Sequence, residues 1–111
     1  LLAFASARKA LQCAIAIQRT LAADAQAHPD EPIRVRIGAH TGEVLRDAER
    51  FFGRTVILAA RIAALAAGGE ILASALVRDL VAHAGDLRFE DGREVSLKGI
   101  SEPQRVYRVT G

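Results

Sequence analysis

Cysteine is almost absent from this sequence. Cys13 stands alone among 111 residues, so no disulfide can form within the chain, and a reducing cytoplasmic setting is the simplest context. Its place inside a helical pattern reads as a small core filler. Long hydrophobic runs are missing too. No apolar stretch reaches the roughly 18 residues that a membrane span needs, and the first residues lack the charged head and cleavage site of a signal peptide. A soluble chain is expected. Nor is there a dense basic block: the formal charge is +2 and the basic residues are scattered, which suits a solvated surface better than a nucleic-acid arm. Aromatics are few, and no strand pattern carries the interleaved rings that stack bases, which argues against RNA binding. Arginine outnumbers lysine thirteen to two. That bias suits bidentate phosphate contacts, but genomic base composition explains it equally well, and it carries no functional weight.

What the chain does have is apolar residues, half of the total. That is enough for the core of one small domain spanning residues 1–111, or for part of one. Residues 1–4 read as the end of a strand leading into Ser6, an N-cap, so a portion upstream is expected, since domain boundaries usually fall in polar linkers. Ala7, Leu11, Ala14, Gln18, Leu21 and Ala25 recur at threes and fours and predict a helix over residues 7–27, ended by Pro29 and Pro32. Alternation over residues 33–40 predicts a strand with a basic second face carrying Arg34 and Arg36, and Thr41-Gly42 a turn into a returning strand at 43–45. His40, at the hairpin end, has no second ligand at metal spacing. A turn-stabilising hydrogen bond is its simplest role. His28 and His83 fall near helix ends.

The stretch at 51–61, FFGRTVILAAR, organises the rest. Thr55 can cap a helix that Gly68-Gly69 stops, with Leu58, Ile62 and Leu65 as its core stripe. Arg61 is the only charge between the caps, and Ile57 lies one turn away on an adjoining face. Further on, residues 70–73 predict a strand and Ser74 caps a helix to about residue 84, with Leu76, Val77, Leu80 and Val81 inward and Gly85 closing it. Three strands follow at 87–90, 94–98 and 104–109, divided by Asp91-Gly92 and by residues 99–103. Helices interleaved with a mostly antiparallel sheet make an α+β sandwich.

Four segments in order, RVRIGAHTGEV, FFGRTVILAARI, GGEILAS and VSLKGISEPQRVYRV, resemble the C-terminal half of the class III adenylate and guanylate cyclase catalytic domain. The resemblance covers most of the chain. It implies a ferredoxin-like palm, with an antiparallel-dominated sheet, helices on one face and the N-terminal strands missing. It implies conversion of ATP or GTP to a cyclic nucleotide and pyrophosphate, at sites shared between two domains of a homodimer. Mg or Mn is expected for the intact domain. The two metal-holding aspartates of the family belong to its first half, so no metal ligand is assigned in this chain.

The family's transition-state pair is an asparagine and an arginine four residues apart, here Ile57 and Arg61. Arg61 matches the phosphate-contacting arginine, the plain alternative being an ion pair with some carboxylate. Ile57 does not match, because a branched hydrocarbon donates no hydrogen bond, and losing one such donor costs about 10²–10³ in rate. Weak or absent turnover is the consequence. At the base-reading position stands Arg50, which cannot accept from adenine's exocyclic amine but whose fork suits O6 and N7 of guanine. Lys98, in the LKG turn, matches a lysine that reaches the phosphates, against the plain reading of a solvated turn residue. A degenerate domain serving as a dimerisation or nucleotide-sensing module is the alternative to a working enzyme.

Overall fold

The structure is a computed structural model that describes residues 6–41 and 55–111. Helix α1 spans Ala7–Ala27, as its periodicity predicts. The Ser6 hydroxyl accepts from the Lys9 amide at 3.3 Å, and the His28 amide closes the last turn on Asp24. Leu11 and Ala14 are the buried face. Further along, the Gln18 amide donates to the carbonyls of Val35 and Glu70 and ties α1 to two neighbouring segments.

Strand β1 is shorter than its alternation predicts, only Ile37–Ala39. Its partner β2, Ile71–Ser74, begins after a turn at Gly69, whose φ is +86°. Opposite residues 34–36 the partner is therefore turning, and the single bond there runs from the Gly69 amide to the Val35 carbonyl. Ile33 is left 59% exposed. β1 pairs in parallel with β2. The residues expected to return at 43–45, and the residues at 1–4 expected to end a strand, lie outside those described.

Helix α2 is Val56–Leu65. Thr55 does not cap it, because its backbone is already helical (φ −63°, ψ −43°), and a capping hydroxyl needs an extended backbone to reach the first free amides. The helix also stops before the glycines, with the Ala66 amide bonding the Ala63 carbonyl. Its core stripe is Leu58, Ile62 and Ala66, at strict four-residue spacing. Leu65, expected inward, falls beside the stripe and is 40% exposed.

The Ser74 hydroxyl accepts from Val77 and starts helix α3, Ala75–Leu80. This helix is shorter than predicted. Only Val77 and then Val81 reach the core, while Leu76 and Leu80 face solvent. The two strands expected around Asp91-Gly92 are one strand, β3, Arg88–Val95, paired antiparallel with β4, Gln104–Thr110. Three steps along β3 from Glu90 to Arg93 match two along β4 from Arg108 to Val106, so one extra residue is taken up as a bulge. Asp91 sits there at φ 54°.

The sheet order is β1-β2-β4-β3, with β4 antiparallel to both its neighbours. Its fold is the mixed α+β palm that the sequence predicts. Alternate residues of β2 enter two cores: Ile71 and Ala73 pack with Leu11 of α1 and Val77 of α3, whereas Leu72 packs with Leu58 and Ile62 of α2. α1 and α3 thus share one face, and α2 takes the other, so the helices do not all lie on the single face expected, because both sides of β2 are apolar and need cover. No helix among the described residues is long and apolar enough to cross a membrane.

Candidate functional site

The outer side of α2 carries the candidate phosphate contact. Burying Leu58, Ile62 and Ala66 turns the opposite side of the helix to water, and Ile57 (47% exposed) and Arg61 emerge there one turn apart. Arg61 has no ion pair or hydrogen bond among the described residues, so the carboxylate partner that would have explained it structurally is not found there. Arg34, Arg36, Arg88 and Arg93 likewise have none among the described residues, whereas other arginines are engaged. Arg8 pairs with Asp86 at 3.2 Å, Arg108 binds Glu90 at 2.8 Å and Asp91 at 3.1 Å, and Arg78 and Arg105 lie 5.2 and 5.7 Å from the centre of the Tyr107 ring.

Lys98 belongs to a tight turn. The Ile100 amide bonds the Leu97 carbonyl at 3.0 Å, and Gly99 takes the positive φ (+80°) that the third position of a type II turn demands. Lys98 is thereby left at the exposed corner, with no partner among the described residues. Leu97, just before it, is buried with Leu58 and Ile62. One hydrophobic cluster therefore anchors both the helix that carries Arg61 and the turn that carries Lys98. Arg50 lies outside the described residues.

His40 makes a contact between strand ends, while the turn expected beside it continues outside the described residues. Its Nδ1 lies 2.9 Å from the Ser74 hydroxyl, which also caps α3, so the pair joins the end of β1 to the end of β2. His28 pairs with Asp24 at 3.3 Å on the surface.

Electrostatics elsewhere are structural. The Gln12 amide hydrogen-bonds Asp86 and, with Arg8, holds its carboxyl below the usual range. The bond to Glu90, and next the charge of Asp91, make Arg108 hold its proton more firmly. No sequence signal marks either group, because each joins residues distant along the chain. Two surface grooves, of about 260 and 530 Å³, lie on the side of α1, one beside Arg19 and Asp86 and the other beside Ser6 and Leu80. Neither is lined by Ile57, Arg61 or Lys98. Among the described residues no three His, Cys, Asp or Glu side chains gather as a metal site. The described residues by themselves do not fit the metal that the resemblance implies. Arg61 on a helix and Lys98 at a tight turn are thus two exposed cations without a partner among the described residues, suited to oxyanions of a phosphate chain.

Comparison with known proteins identifies the family. Residues 3–111 match the Adenylate and Guanylate cyclase catalytic domain family. An uncharacterized protein of Mycobacterium tuberculosis is 38% identical over 96% of this chain, which spans 35% of that relative's length. A receptor-type adenylate cyclase of Trypanosoma brucei brucei is 32% identical over 69% of the chain, which spans 7% of it. A crystal structure described as an adenylate/guanylate cyclase/hydrolase from Silicibacter pomeroyi superposes with a TM-score of 0.82 at 30% identity, over 97% of this chain and 64% of that one. The chain belongs to the adenylate and guanylate cyclase catalytic domain family.

Proposed function

We propose that this domain supplies phosphate-binding cations to a site that closes a nucleoside triphosphate into its cyclic monophosphate. In that reaction the ribose 3'-oxygen bonds to the α-phosphorus, the bond from the α-phosphorus to the bridging oxygen breaks, and pyrophosphate leaves with that oxygen. The 3'-hydroxyl proton passes to a base. Negative charge grows on the α-phosphate oxygens and the leaving group, where a fixed guanidinium is worth most. Arg61 is the observation that carries the reading: it is exposed, without a described partner, and held on a helix by buried Leu58 and Ile62. Lys98 would meet the same phosphate chain from its turn.

The rest of the site comes from outside these residues. The reading includes a homodimer, since nothing described here closes over Arg61, and Mg or Mn held by residues that this stretch does not contain. The 111 residues alone are then inactive. Cytoplasmic nucleoside triphosphate is the natural substrate pool. Arg50, at the base-reading position, favours GTP over ATP by about 1–3 kcal/mol if its fork engages guanine.

A second reading is favoured by Ile57. The sequence contains no asparagine at all, and the side chain at position 57 carries no donor. A domain without turnover would still bind nucleotide or pair with a second copy as a regulatory module. Both readings meet one experiment on the full-length protein, in which cyclic nucleotide formation and ATP and GTP binding are measured for wild type and Arg61→Ala. Turnover that falls about 10²–10³-fold in the variant supports the enzyme. Nucleotide binding without turnover supports the nucleotide-sensing module, and neither binding nor turnover removes both the enzyme and that module, leaving only a pairing role.

A further inference from the structure

Gly38 is where β1 meets α2 with nothing between the two backbones. A Cβ built on it would lie 2.4 Å from the Ala63 amide nitrogen, 2.6 Å from the Ala59 carbonyl oxygen and 2.7 Å from the Ala63 Cα. All three are backbone atoms of the helix. They cannot swing aside as the end of a flexible side chain would, and the nearest falls about 1 Å inside ordinary contact, which begins near 3.4 Å. A single methyl at this position must push α2 off the sheet.

The direction of that push matters. At about 100° per residue, the mean direction of Ala59 and Ala63 is about 180° from the direction of Arg61. Gly38 therefore bears on the side of α2 opposite Arg61, and movement at the contact carries Arg61 outward along its own line of projection. Leu58 and Ile62 pack in the core with Leu72, Leu97 and Val106, while the backbone approach over β1 itself is made at Gly38.

We propose that Gly38 is a positioning residue for Arg61, setting how far the guanidinium stands from the sheet and so from a bound triphosphate. This rests on the reading of Arg61 as a phosphate contact. Misplacing a catalytic contact by about 1 Å can cost about a hundredfold.

A double-mutant cycle in the full-length protein tests it. Gly38→Ala, Arg61→Ala and the double variant are compared for ATP and GTP affinity by titration calorimetry and for cyclic nucleotide formation, with circular dichroism confirming the fold. Gly38→Ala is expected to lower whichever of the two Arg61→Ala lowers, by about tenfold or more. The double variant should be no worse than Arg61→Ala alone, because the displaced group is already gone. Losses that simply add, or a Gly38→Ala protein that behaves as wild type, overturn the inference while leaving the role of Arg61 intact. An Arg61→Ala protein unchanged in both measurements overturns the phosphate reading and this inference with it. Should Gly38→Ala fail to fold, Ala63→Ser adds one atom at the helix residue nearest the contact, and its cycle with Arg61→Ala must show the same non-additivity.

Discussion

Ile57 decides more about this domain than any residue that is present in the expected form. It stands one helical turn from Arg61 on the outward side of α2, 47% exposed, where a hydrogen-bond donor would share a substrate with the guanidinium. Ile57 belongs to neither core cluster. If the cyclisation reading holds, Ile57→Asn in the full-length protein should raise cyclic nucleotide formation by about tenfold or more, and adding Arg61→Ala should abolish the gain. A coupled assay on the three proteins measures both effects. High turnover by the unmodified protein would mean that another residue orients the ribose. An Ile57→Asn protein that binds nucleotide and stays silent would favour the regulatory module.

The elements differ in how plainly the sequence announces them, and the difference follows the range of the forces involved. Helix α1 and the caps at Ser6 and Ser74 are local, formed by residues three or four apart, and they stand where the pattern puts them. β3 is the opposite case. Asp91-Gly92 carries the chemistry of a hairpin turn, and only pairing with β4 makes it a bulge in a continuous strand. In α2 the periodicity was right and one residue of the stripe was not. Alanine at position 66 is a weak hydrophobic signal beside Leu65, yet it is the small residue whose spacing from Ile62 keeps it on the sheet. Of the candidate site, Arg61 and Lys98 were legible through their motifs, but the Gly38 contact was not, because it joins backbones brought together only by folding. The same distinction yields a stability test on two isoleucines of one helix. Ile62→Ala empties a position 1% exposed and should cost about 2–5 kcal/mol. Ile57→Ala should cost well under that, about 0.5 kcal/mol, since surface positions rarely matter more. Chemical denaturation of both variants checks it, and equal losses would contradict the assigned faces of α2.

At the scale of the whole molecule, Asp86 and α2 make separate predictions. Asp86 joins the segment before β3 to α1 through Arg8 and Gln12, 78 and 74 residues away. Its carboxyl is held below the ordinary 3.8. A depressed value means that the folded state prefers the ionised form, so this stabilisation is present above the ordinary value and is lost as the pH falls through the folded one. Asp86→Asn should therefore melt below wild type at neutral pH, with the gap closing as the pH drops below about 4. A gap that stays constant down to pH 2 would assign the effect to shape instead of charge. The second prediction concerns self-association. Ile57, Arg61 and Leu65 follow one another at four-residue intervals along the outside of α2, so a cation stands between two side chains that are 47% and 40% exposed. An apolar stripe broken by a single charge suits a surface covered by a second copy when an anion lies between the two. In the full-length protein, Leu65→Glu should then weaken the dimer by about tenfold or more, the effect expected when one well-packed contact is replaced by a charge that must be desolvated. Arg61→Ala should weaken it mainly when nucleotide is present. Sedimentation equilibrium with and without GTP reads both variants, and a wild-type protein that stays monomeric under every condition would remove the paired site and return Arg61 to the role of a solvated surface arginine.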